Sequence, residues 1–122
     1  MARGLLKVDV VSGATSRRKG NVYEVAVAAW LRSKGFRAIT SRDGRGGAQG
    51  GSDVITDLPV CIEAKNHARH DLSGWLDQAV DDAAGDPASV WVKRRGKGDV
   101  GESFVVMRAE DFVALVRPDV EF

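Results

Sequence analysis

At 122 residues the chain fits one domain and hardly two, and a chain of that size can bury one core without staples. Its single cysteine, Cys61, rules out an intramolecular disulfide and suits a reducing compartment. No apolar run approaches the roughly 20 residues needed to span a bilayer, and no signal-peptide core follows the N-terminal basic residues. No membrane partner is therefore expected, and the expected location is cytoplasm. The net charge of +1 is uninformative alone, but the charges are segregated. Through residue 50, ten basic residues face three acids, Asp9, Glu24 and Asp43. From residue 51 to residue 90, only Lys65 and Arg69 oppose eight acids. Such segregation fits one face for polyanions around an acidic centre able to hold a cation, and equally an ordinary solvated surface.

In chain order, residues 1–15 are weakly patterned, with Leu5–Val11 readable as a short strand or an ordered arm. The spacing of Val22, Val25, Ala26, Ala29 and Trp30 predicts a helix over Asn21–Lys34, stopped at Gly35 and apolar on nearly all faces. Phe36–Ser41 reads as a strand, and the glycines between Arg42 and Ser52 mark a loop. Asp53–Leu58 and Val60–Lys65 read as two strands joined tightly around Pro59. A helix is predicted over Asp71–Ala84 and ends at Gly85-Asp86-Pro87. Then come a strand at Ser89–Lys93, a basic loop at Arg94–Gly101, a strand at Ser103–Met107 and a helix at Ala109–Val116. The expected fold is a single α/β domain with a mixed central sheet flanked by helices. Val60–Ala64, Val90–Val92 and Phe104–Val106 are apolar enough to be its central strands.

The chemistry concentrates in Val60-Cys61-Ile62-Glu63-Ala64-Lys65. Strand side chains alternate, so Ile62 and Ala64 point one way and Glu63 and Lys65 the other. Charges on a strand that otherwise resembles core are costly unless they pair or bind a metal. Asp53 lies ten residues upstream, and a tight turn at Asp57–Pro59 brings it back to the Glu63 end. Two carboxylates, a main-chain carbonyl and waters make a hard-oxygen site suited to Mg²⁺, with Mn²⁺ as a substitute. Beside such an ion, Lys65 is placed to orient or deprotonate an attacking water. Taken alone, Glu-x-Lys also describes a plain surface pair on an edge strand.

Taken together, Arg18-Lys19-Gly20, Tyr23-Glu24, Leu31, Gly35-Phe36, Arg42, a glycine-rich loop, Gly51-Ser52-Asp53-Val54, Ile62-Glu63-Ala64-Lys65, Gln78 and Val92-Lys93 form an ordered series. In order and spacing the series resembles the PD-(D/E)xK nuclease superfamily, and within it the archaeal-type Holliday-junction resolvases and their phage and bacterial relatives. The resemblance covers roughly Arg17 to Lys93 and implies a restriction-endonuclease-like core. It implies Asp53 and Glu63 as metal ligands with the Ala64 carbonyl, Lys65 as the catalytic lysine, Glu24 reaching the site from the first helix, and Gln78 near it. It further implies a Mg²⁺-dependent endodeoxyribonuclease, a homodimer placing two sites across four-way DNA junctions. If phage-encoded, such an enzyme would work in the host cytoplasm. The position before Asp53 is Ser52 rather than the superfamily's common proline, and residues 66–77 follow no family pattern. The alternatives are an endonuclease for other branched or linear DNA, a catalytically silent DNA-binding module, and a structural oligomerising domain.

Other residues carry competing readings. Asn21-x-x-Glu24 also fits a helix-capping box. Arg17, Arg18 and Lys19 before the helix, Arg42 and Arg45 in the glycine loop, and Lys93, Arg94 and Arg95 are candidate DNA-phosphate contacts, or else solvated basic linkers. Cys61, His67 and His70 match no closed four-ligand zinc pattern, while the histidines suit phosphate contacts or plain surface. Trp30, Trp75 and Trp91 fall in apolar periodic segments and read as core or dimer packing. Gly44–Gly51 lacks the Gly-Lys-Ser/Thr ending of a nucleotide-binding loop.

Overall fold

Helix α1 (Ala2–Ser33) runs through the whole N-terminal segment in the computed structural model, which describes residues 2–43 and 52–117, with side chains from Arg18 onward. The strand or arm expected at Leu5–Val11 is thus helix. No proline interrupts this stretch, and each internal glycine costs a helix only about 1 kcal/mol. Asn21 lies mid-helix, so it caps nothing and the capping box with Glu24 does not form. One face of α1 buries Tyr23, Val27, Ala28 and Leu31. The opposite face leaves Val22 and Val25 63% and 48% exposed, so the helix is less enclosed than its composition suggests.

Five strands follow: β1 (Ala38–Thr40), β2 (Val54–Thr56), β3 (Cys61–Lys65), β4 (Ala88–Val92) and β5 (Phe104–Val106). Their spatial order is their chain order. Each neighbouring pair is antiparallel except β3 and β4, which run parallel in the register Cys61↔Ala88 to Lys65↔Val92. A parallel pair needs a crossover, supplied here by α2 (Leu72–Ala83). Asp71 caps α2, its carboxylate accepting from the Gly74 N–H at 3.1 Å. The helix closes at Ala84 in the left-handed conformation, with φ 51°. Helix α3 (Ala109–Val116) ends the described chain.

The sheet has two packed faces. Ile62, Ala64 and Val54 join Tyr23, Val27 and Leu31 under α1. Ala79 and Ala83 of α2 cover Val90 and Val92, with Cys61 and Val106 at the margin. All five residues of β4 are buried, as befits a strand covered on both sides. By contrast, β5 is an edge strand with Phe104 and Val105 about half exposed, which corrects the expectation that Phe104–Val106 is central. An apolar run cannot by itself distinguish a central strand from an edge. Among the described residues no helix is long and apolar enough to cross a membrane.

Candidate active site

Glu63 and Lys65 lie at the C-terminal end of β3, with the parity of Cys61 and so on the α2 face of the sheet. Their charged atoms are 4.0 Å apart, with the side chains only 16% and 26% exposed. Asp53 lies just before β2, held there by its own backbone. Its N–H donates to the Ile62 carbonyl at 2.7 Å, and its carbonyl accepts from the Ser41 N–H at 2.9 Å. Asp53 Oδ2 then accepts from the Ala64 N–H at 2.8 Å, setting the carboxylate between Glu63 and Lys65 along the strand. N–H and C=O of one strand residue point to the same side, so the Ala64 carbonyl also faces Asp53.

Ser52 contributes to this arrangement in a way its sequence position did not suggest. Its hydroxyl oxygen accepts from the Ile62 N–H at 3.0 Å, and the hydroxyl donates to the Val54 carbonyl at 2.9 Å. The start of β2 is thereby tied to β3 one residue from Asp53. A proline in the same place lacks both groups.

Glu24 approaches from α1. Its carboxylate is 16% exposed and lies 3.9 Å from Arg42 Nε. The acids of this cluster repel one another. Burial first, and then Asp53, raises the Glu63 carboxyl to about 7, with Lys65 opposing. Asp53 is raised by burial, against the Ala64 N–H and Lys65. Glu24 is raised by burial and then by Asp53, with Arg42 and Lys65 opposing. Asp82 of α2, which the sequence did not single out, adds its charge to the field at Glu63 and Asp53. The expected partner on that helix, Gln78, is exposed one turn earlier and is not joined to the carboxylates among the described residues. Only the helical spacing of Gln78 and Asp82 could have brought the latter forward.

Among the described residues, no three His, Cys, Asp or Glu side chains converge into a closed metal cage. The donor set is of the open kind: two carboxylates, Asp53 and Glu63, a main-chain carbonyl at Ala64, and positions left for water or substrate oxygen. Mg²⁺ and Mn²⁺ accept such a set, because Mg²⁺ keeps much of its water and uses one or two carboxylates. The raised carboxyls also fit, because a cation there relieves their mutual repulsion.

A basic groove of about 380 Å³ opens beside this cluster, lined by Lys19, Asn66, His67, His70, Lys93, Arg94 and Arg95. It joins Lys19 and the Lys93–Arg95 loop, two candidate phosphate clusters far apart in the chain. Arg18 is exposed on α1, while Arg42 is turned partly to Glu24. Arg45 and the Arg17 side chain lie outside the described residues. Trp91 is core, edge-on to Trp30 at 6.1 Å with its Nε1–H donating to Ser89 Oγ. Trp75 faces His67 and His70, their ring centroids 5.3 and 5.9 Å away.

Compared with known proteins, the chain matches no family model, no curated protein and no solved structure.

Proposed function

We propose that the protein is a Mg²⁺-dependent endodeoxyribonuclease with a restriction-endonuclease-like core of the PD-(D/E)xK type, acting as a homodimer on four-way DNA junctions. The observation that carries this is the Asp53 carboxylate anchored on the Ala64 N–H, directly beside Glu63 and Lys65. Hydrogen bonding inside a β-sheet fixes this constellation, so its geometry is set before substrate arrives.

Asp53, Glu63 and the Ala64 carbonyl would hold Mg²⁺ or Mn²⁺, which when bound supplies a polarised phosphate, an acidified water and compensation for negative charge. The protein's own groups do the rest. The Lys65 ammonium, beside Glu63, orients the attacking water and faces the charge that builds on the phosphate oxygens. As the water oxygen bonds to phosphorus it gives up its proton to solvent, and the bond to the leaving sugar oxygen breaks, that oxygen taking up a proton from solvent water. Glu24 lies on the α1 side of the same cluster, where its carboxylate can receive a hydrogen bond from water. Lys19, Lys93 and Arg95 supply contacts to the sugar–phosphate backbone, which give affinity without sequence reading.

Support for a second copy comes from α3. Phe112, Val113 and Val116 are each more than half exposed, and none belongs to either core. An apolar helical stripe left open in this way is typical of an association surface. Glu110 and Arg117 flank it seven residues apart, so two copies of α3 crossing antiparallel about a two-fold axis bring opposite charges together.

The test is cleavage of a labelled synthetic four-way junction beside linear duplex of the same arms, with Mg²⁺ or with EDTA. Paired symmetric nicks on the junction alone, lost in EDTA, are expected. Equal cutting of both substrates would keep the nuclease and remove junction selectivity. Tight binding without cutting in Mg²⁺ or Mn²⁺ would leave a DNA-binding module.

A further inference from the structure

The groove beside the carboxylates has a composition and position that the catalytic constellation does not require. It is walled by three segments: α1 at Lys19, the residues following β3 at Asn66–His70, and those following β4 at Lys93–Gly96. Two hydrogen bonds, one between backbones and one from a side chain, hold these walls together beside the catalytic strand. The Lys93 N–H donates to the Lys65 carbonyl at 2.9 Å, and Asn66 Nδ2 to the Lys19 carbonyl at 3.5 Å. The groove therefore begins at the residue after Lys65.

Its cations differ in what occupies them. Arg94 is engaged elsewhere: its guanidinium pairs with Glu102 at 3.5 Å and lies over Phe104, 4.9 Å from the ring centroid. Lys19, Lys93 and Arg95 pair with no acid among the described residues. His67 and His70 are braced against Trp75, so their rings cost little to immobilise around a ligand. The field in the groove is positive. His67 is held below the ordinary imidazole range by burial first, and then by Lys65, Lys19 and His70.

We propose that this groove seats one backbone phosphate of the nucleic-acid strand passing Glu63 and Lys65, gripped by Lys19, Lys93 and Arg95 with His67 and His70 as imidazole donors. This rests on the nuclease reading and adds to it a register: the groove grips a phosphate at a fixed step from the one being cut. Arg94, though part of the wall, is not a ligand. The three cations come from α1 and from the segment after β4, which share no local sequence signal, and they converge because α1 packs on β3 while β3 and β4 pair in parallel.

The experiment is binding, read in EDTA by fluorescence anisotropy, of a labelled DNA in which single backbone phosphates are replaced in turn by neutral methylphosphonates. Wild type should lose about tenfold in affinity at one position near the cut. The double variant Lys93→Gln/Arg95→Gln should bind unmodified DNA about tenfold more weakly and be indifferent at that same position. Its salt dependence should flatten by about one phosphate's worth, a slope change of about 1. His67→Gln should show the same single-position indifference in smaller degree, and Arg94→Gln should behave as wild type. All four positions are at the surface or partly so, and an unchanged Tm certifies the variants. Equal sensitivity of wild type and double variant at every position overturns the groove. So does a loss in Arg94→Gln as large as that in Arg95→Gln, which would reduce the effect to net charge. Failure of the nuclease reading is separately visible, as wild type that does not cut unmodified DNA in Mg²⁺ or Mn²⁺ while the phosphate coupling persists.

Discussion

Glu63 is the residue on which stability and chemistry pull in opposite directions. Its carboxyl is raised from 4.5 to about 7 by burial and by Asp53, so without a cation the folded state prefers it neutral. The sign follows directly. Between those two values the native state binds the extra proton, so stability is fully present below 4.5 and is lost as pH rises through about 7. Asp53 and Glu24, also raised, act in the same direction. The metal-free protein should therefore show a Tm that falls across this interval in thermal scans, and Mg²⁺ should reverse the fall. Glu63→Gln should abolish cleavage, keep DNA binding within about twofold, flatten the pH dependence and raise the metal-free Tm above neutrality. A Tm that drops in Glu63→Gln at alkaline pH would show that the carboxylate supports the fold rather than straining it. Ser52→Ala makes a second residue-scale case. Losing the hydroxyl removes the Ile62 contact, at a cost of about 1–2 kcal/mol. Activity should fall further than stability does, because Asp53 is the neighbour that moves.

At the scale of elements, α2 is both crossover and wall, and its ends are built from separate devices. The Asp71 cap should be worth about 1 kcal/mol, read as the loss in urea-unfolding free energy for Asp71→Ala. At the other end, Ala84 holds φ 51° without the freedom of glycine. Ala84→Gly should therefore stabilise by up to about 1 kcal/mol, and a destabilised Ala84→Gly would mean that its methyl group packs. The helix was legible at Asp71–Ala84 because Trp75, Leu76, Ala79, Val80 and Ala83 repeat at helical spacing. Helix α1 was half legible. From Asn21 onward the apolar spacing marks it, but the preceding segment has no comparable stripe, and its weak patterning reads equally as a strand or arm. A capping motif inside a continuous helix is the matching error: Asn21-x-x-Glu24 has the composition of a helix start with no start to serve.

For the whole molecule, the two ends of the sheet carry different tasks. Lys65 and Lys93 mark one end of the β3–β4 pair. Asp111 of α3 accepts from the Ala88 N–H at the other, while also holding Arg108. A partner docked on α3 thus leaves the carboxylate end uncovered. In the homodimer proposed above, Val113→Glu should yield a folded monomer by light scattering, since Val113 is 60% exposed and supports neither core. On a junction it should turn paired nicks into independent single ones. Unchanged mass in Val113→Glu would move the dimer contact away from α3.

Strand alternation and local apolar spacing were enough to place Glu63 and Lys65 on one face of a strand, to pair that strand with the one led by Asp53, and to arrange most of the elements in an α/β order. Those signals are local, and they survive in a linear text because side-chain direction repeats every two residues in a strand and every 3.6 in a helix. Only the tertiary structure decided which apolar strand became an edge, that Ser52 ties Asp53 to β3, that Asp82 adds its charge to the field at the carboxylates, and that Lys19 and Lys93 share a groove with two histidines. Each of these depends on which elements lie side by side, and contacts between distant parts of a chain leave no period in its sequence.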